Sequence, residues 1–203
     1  MYRSLLFTPG HKIENIKSLK VFPDILVIDL EDSVSEDKKI LAFKKALNFL
    51  SKSGYNKSKI YIRIDFNNKY IEKKYHNLIT KNLEGFILPK VKNKKELNLL
   101  LNFVKKYEKI KKFKKRIKIS FIAETTNSII NLNEIIKSTD RIEFIIYGEE
   151  DYHSEMNNIN FSNNLKNDYA KNIIPIVAKA NNIEAIFTPY LHLSNSSGLK
   201  KHI

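Results

Sequence analysis

The chain has 203 residues, 42% of them hydrophobic and 29% charged, which is enough to build a sizeable core and is normal for a folded globular protein. It contains no cysteine, and this excludes disulfides, thiolate nucleophiles and cysteine-bound zinc. The net charge is +14, but of the 36 basic residues 32 are lysine and no known nucleic-acid motif interleaves aromatics with them, so we expect solvated lysines, no nucleic-acid partner and at most a basic rim that attracts an anionic substrate.

The first apolar run begins at once, at Arg3–Phe7, so no secretory leader is expected. No apolar stretch nears the length that spans a bilayer, so a cytoplasmic location without membrane contact is expected. Further short, β-branched runs follow at Ile25–Leu30, Ile60–Ile64, Gly85–Leu88, Ile117–Ile122, Glu143–Tyr147 and Ala185–Phe187. Their nearly continuous hydrophobicity is that of strands covered on both faces.

Segments with helical spacing lie between them. Lys39–Phe49 places Ile40, Phe43, Ala46 and Leu47 on one stripe with Leu50. Glu96–Phe103 carries Leu97, Leu100 and Leu101, continued by Val104. Ser128–Ile136 carries Ile129, Leu132, Ile135 and Ile136, and Asp168–Ala180 carries Tyr169, Ile173, Ile176, Val177 and Ala180. The lysine run from Lys105 to Lys118 falls late in a helix and in the loop after it. Strands that alternate with helices form a parallel sheet. Seven at this spacing favour a TIM-type β/α barrel over an open sheet, built as a single domain over residues 1–203. There is no internal repeat and no low-complexity linker.

Each predicted strand ends in polar chemistry, and barrel sites are assembled from such strand ends. The ends are Thr8-Pro9-Gly10, Asp29-Leu30-Glu31-Asp32, Arg63, Pro89-Lys90, Glu124, Glu149-Glu150-Asp151 and Thr188-Pro189. A carboxylate leaving a buried strand is costly unless paired. Two at neighbouring strand ends, Glu124 and Asp151, can share a hard cation. The alternatives are a helix N-terminal carboxylate for Glu124 and an N-cap for Asp151. Arg63 can grip a carboxylate with two hydrogen bonds or pair with Asp29, Glu31 or Asp32. Lys90 can reach an anionic ligand or serve as a rim lysine, and Arg3 can lie near a ligand or in a salt bridge.

The segments Arg3–Gly10, Val27–Val34, Tyr61–Ile64, Ile87–Val91, Ile122–Thr126 and Tyr147–Tyr152, in this order, resemble the citrate lyase beta-subunit-like family, related to the malyl-CoA lyases and HpcH/HpaI aldolases. The resemblance implies a Mg²⁺-dependent carbon–carbon lyase acting on a keto acid and an acyl-CoA. It implies Glu124 and Asp151 as metal ligands and Arg63 as the grip on the keto-acid carboxylate. Asp29 and Glu31 would orient Arg63 and the metal's waters, and Pro9 and Gly10 would form a turn at the ligand. The chain departs from the family pattern at Asp65, at Thr188 and after Tyr190, where relatives continue with another strand and an extension. This shortening leads us to expect self-association, for example as a trimer or hexamer, and keeps a catalytically impaired binding or complex-forming homologue as the alternative.

Overall fold

Parallel strands need long crossovers, and helices supply them here. The computed structural model describes residues 2–52, 57–66, 74–156, 165–189 and 194–202. Seven strands form one parallel sheet in chain order: β1 (Leu5–Pro9), β2 (Ile25–Asp29), β3 (Lys59–Arg63), β4 (Gly85–Leu88), β5 (Lys118–Ala123), β6 (Ile142–Tyr147) and β7 (Glu184–Ile186). The helices are α1 (Lys39–Ser51), α2 (Lys94–Ile110), α3 (Thr126–Ile130), α4 (Leu132–Ile136), α5 (Glu149–Met156), α6 (Leu165–Ala180) and α7 (Ser196–His202). A 3₁₀ segment, Gly10–Ser18, follows β1 and buries Ile13 and Ile16.

The sheet curls, and its two faces carry separate apolar clusters. The small inner cluster holds Ile25, Val27, Tyr61, Ile87, Ile122, Phe144 and Ile146. The larger outer cluster packs the opposite strand faces against the helices, with Leu26, Ile28, Ile62, Phe86 and Phe121 meeting Leu97, Leu100, Val104 and Ala46. At the start of the strands the curl is pinned by Glu143, which accepts hydrogen bonds from the hydroxyls of Tyr2 and Tyr61 and from Lys59 Nζ. The Tyr2 N–H also reaches Glu184 of β7 at 3.0 Å, bringing the two ends of the sheet together. The hydrogen-bonded ladder runs from β1 to β7 without closing between them. The architecture is the expected α/β class, a curled sheet of the TIM-barrel type.

The predicted strands all form, β4 with the predicted bounds and the others with ends displaced by at most two residues. β1 starts at Leu5 rather than Arg3 because Arg3 and Ser4 are tied to Asp24, below the sheet. The helical stripes need correction in two places. In α1 the buried residues are Ala42, Ala46 and Leu50, while Ile40 is 65% exposed. In α6 they include Ala170, Ile174 and Ala178, while Tyr169 and Ile176 are 60% and 62% exposed. Small side chains let a helix lie close to the sheet, so alanines take the contact line and larger residues flank it. The span 128–136 is two short helices broken at Asn131, whose side-chain amide donates to the Lys92 carbonyl at 3.0 Å. The α2 helix continues to Ile110, beyond its last predicted apolar residue.

Among the described residues, no helix is long and apolar enough to cross a membrane.

Candidate active site

Side chains of a strand alternate between its faces. Ile25 and Val27 belong to the inner cluster, so Asp29 continues the same face to the mouth of the curl. Tyr61 leads in the same way to Arg63, and Ile122 leads to Glu124 one residue past β5. One parity rule therefore delivers three charged groups to the C-terminal ends of three strands.

The parallel register sets Asp29 directly opposite Arg63. Arg63 Nε and Nη2 donate to the two Asp29 oxygens at 2.8 and 2.5 Å. Asp29 is wholly buried and also accepts the N–H groups of Glu31 and Ser33 and the Ser33 hydroxyl. Burial alone would raise its pKa, but the Arg63 hydrogen bonds and charge hold it below the ordinary carboxylate range. The remaining guanidinium nitrogen, Nη1, lies 3.4 Å from Glu31 and 3.6 Å from Asp32. The ring of Phe7 lies 5.2 Å from the guanidinium carbon. Arg63 is thus oriented by Asp29 and offers one edge to the mouth.

Glu31 is buried, and its Oε2 makes no hydrogen bond within the protein. Burial and the adjacent Asp32 push its pKa up to about 7. Lys90 follows β4 and Pro89 and adopts a left-handed backbone, φ 53°. Its N–H donates to Glu124 Oε1 at 2.6 Å, and its ammonium lies 3.7 Å from Glu31 and 3.6 Å from Asp32.

Glu124 is only 3% exposed. It sits before Thr125, whose hydroxyl accepts the Ser128 N–H and caps α3. Asp151 lies in the first turn of α5, across from it, within side-chain hydrogen-bonding contact. Burial, opposed by the Lys90 N–H and reinforced by Asp151, pushes the Glu124 pKa up to about 8. Two facing carboxyl groups are a donor set that a hard divalent cation would neutralise. Mg²⁺ takes one or two carboxylates and leaves positions for water and substrate oxygens. The residues present fit that ion, although no group of three or more His, Cys, Asp or Glu converges as a metal cage among the described residues. An open pocket of about 300 Å³ adjoins the pair, lined by Lys90, Glu124, Thr125, Asp151, Ser154 and Glu155.

Asp29, Glu31, Arg63, Lys90, Glu124 and Asp151 therefore converge on one rim. Pro9 is at the same end, paired in register with Asp29. Gly10 follows it, but a Cβ there would stand 2.7 Å from Leu30 Cδ2 and 3.1 Å from Ala42, so packing explains its lack of a side chain. Arg3 is not among this group. It precedes β1, at the opposite end of the sheet, where it pairs with Asp24 at 2.9 Å in solvent. In a parallel barrel the start and end of a strand are on opposite rims, and the expectation of a substrate contact at Arg3 is corrected on that ground.

Gly148 was missed by the sequence reading. A Cβ there would lie 2.5 Å from Glu124 Cβ and 2.7 Å from its Oε2. A glycine between a buried strand and three acids was the available signal. Gly148→Ala must displace the Glu124 carboxylate, so we expect divalent-ion affinity, measured by titration calorimetry, to fall about 10- to 100-fold with the fold retained. Also missed was α5 itself, whose acidic first turn is a helix-start signal. Glu155 on that helix accepts the Thr126 N–H at 2.6 Å and joins α5 to α3 beside the pocket.

A TIM-type fold whose C-terminal mouth carries an acidic pair, an oriented arginine and a lysine defines a class of barrel with an acid-lined site. The chain belongs to the HpcH/HpaI aldolase/citrate lyase family, whose sequence profile matches residues 3–202. It is 25% identical over 201 residues to the citrate lyase subunit beta of Leuconostoc mesenteroides subsp. cremoris, covering 97% of this chain and 66% of that protein. To the mitochondrial citramalyl-CoA lyase of Homo sapiens it is 23% identical over 211 residues, covering 97% and 62%. The chain thus spans less than two thirds of the length of these curated relatives. In fold it is similar to malate synthase of Haloferax volcanii, solved as a magnesium/glyoxylate complex, with a TM-score of 0.84, 14% identity and coverage of 99% of this chain and 67% of that one.

Proposed function

We propose that this chain is a Mg²⁺-dependent carbon–carbon lyase or aldolase of the citrate lyase beta-subunit type. It would cleave or form a bond between the α-carbon of an acyl-CoA and the carbonyl carbon of a keto acid. The observation that carries this reading is buried Glu124 facing Asp151 beside an open pocket at the strand ends. The names of the relatives, citrate lyase subunit beta and citramalyl-CoA lyase, support the reaction class. The magnesium of the similar malate synthase supports the ion.

Glu124 and Asp151 would hold the ion, which when bound supplies electrostatic stabilisation of a developing oxyanion. Arg63, held at two nitrogens by Asp29, presents Nη1 to the keto-acid carboxylate. Glu31, buried, with an oxygen lacking a hydrogen bond and a pKa near 7, is suited to hold and move a proton at that oxygen. The ammonium of Lys90 and the basic surface would draw an anionic coenzyme A thioester to the mouth. Among the described residues β1 and β7 stand at the two ends of the strand order, and this open ladder supports self-association of copies.

The test is a panel of 3-hydroxyacyl-CoA and keto-acid substrates assayed with Mg²⁺ and with chelator. We expect turnover and a raised melting temperature with Mg²⁺, both lost with chelator. Absence of any metal-dependent stabilisation would sink the reading. Metal or acyl-CoA binding without turnover would identify the catalytically impaired homologue instead.

A further inference from the structure

Lys90 spans the mouth between two acidic groups. A non-glycine residue with φ near 53° is held in a sparsely populated region, and such strain persists only if neighbours impose it. Here it aims the main-chain N–H at Glu124 Oε1, 2.6 Å away, which ties one of that carboxylate's two oxygens. The same residue sends its half-exposed ammonium to the other acidic group, 3.7 Å from Glu31 and 3.6 Å from Asp32. The charged groups facing it are Glu31 and Asp32 from the end of β2, Glu124 from β5 and Asp151 from α5, and it shares the first two with Arg63. Lys90 is the cation that lines the pocket with Glu124 and Asp151.

We infer that Lys90 is a positioning residue with two opposed effects on the divalent ion: its N–H orients Glu124 to receive the ion, and its ammonium competes with the ion as a resident counter-charge. The inference rests on the Mg²⁺ reading above and deepens it. It gives the pocket a means to offset the repulsion among its carboxylates without metal and to hold the ion loosely. The second effect follows from Coulomb repulsion between a divalent cation on Glu124 and Asp151 and an ammonium that lines the same pocket and feels the charge of both acids.

The experiment is calorimetric titration of the metal-stripped full chain with Mg²⁺, and with Mn²⁺ as a second probe, for wild type and three variants. Lys90→Met removes the charge and keeps the side-chain length. Lys90→Gly removes the same charge while relaxing the left-handed backbone and retaining the N–H, so it serves if Lys90→Met folds poorly. Lys90→Arg restores a charge. We expect Lys90→Met and Lys90→Gly to bind about tenfold more tightly than wild type, and Lys90→Arg to return to within about twofold. Unchanged or weaker binding in both neutral variants, with wild type binding normally, would overturn this inference and leave the metal reading intact. No binding by any of the four proteins would overturn the metal reading and this inference with it.

Discussion

Replacing Glu124 with glutamine should abolish metal-dependent turnover, by about a thousandfold, and remove Mg²⁺-induced stabilisation. Glutamine keeps the volume and still offers an oxygen to the Lys90 N–H, so the fold is retained. The charge that would hold the ion is lost, and with it the electrostatic stabilisation of an oxyanion. The same substitution should have an opposite effect on the metal-free protein. The folded-state pKa of Glu124, about 8, is raised above the ordinary 4.5. The folded chain therefore binds this proton more tightly than the unfolded chain. Stability from this group is fully present below about pH 4.5 and is lost as pH rises toward 8. Glutamine has no such proton. At pH 8 and without metal, Glu124→Gln should melt higher than wild type by about 4–8 °C, on the order of 2 kcal/mol, and the difference should vanish near pH 5. A melting curve of the variant that tracks wild type at both pH values would show that Glu124 is not the buried acid described here.

A second large effect is expected far from the mouth. Glu108, near the end of α2, and Arg141, just before β6, form a buried pair with Nη1 to Oε1 at 2.6 Å and Nη2 to Oε2 at 2.9 Å. Glu108 also accepts the Ile117 N–H at 2.7 Å, so it joins the helix to the start of β5. Glu108→Ala strands a buried guanidinium and should cost about 3–5 kcal/mol, or roughly 6–20 °C in melting temperature. Divalent-ion affinity of the folded fraction should be unchanged, because the pair stands at the other end of the strands. Replacing both partners together, with Glu108→Leu and Arg141→Met, should recover much of the loss. A single variant as stable as wild type would show that the pair contributes nothing to the fold.

The two effects separate what holds the barrel from what its mouth does. Asp29 and Arg63 belong to both. They pair by register within the sheet, and the remaining nitrogen, Nη1, lies toward Glu31 and Asp32 at the mouth. This is why an ion pair and a ligand contact at Arg63 are compatible readings: three guanidinium nitrogens are available, and Asp29 occupies only two of them.

Strand order and class were legible from the chain alone, because buried parallel strands and amphipathic crossovers each leave a local signature. Glu124, Asp29 and Arg63 were also legible as rim candidates, since each stands at the end of a predicted strand. Four matters were settled only in three dimensions. Arg3 went to the far rim, Lys90 took a left-handed backbone, Gly148 made room for Glu124, and Glu108 met Arg141. Each depends on a partner distant in sequence, 34 residues away for Lys90 and Glu124 and 33 for Glu108 and Arg141. Periodicity reports which face a residue takes within its own element. Which residue it meets across the barrel is set by the curl of the sheet, and no local pattern encodes that distance.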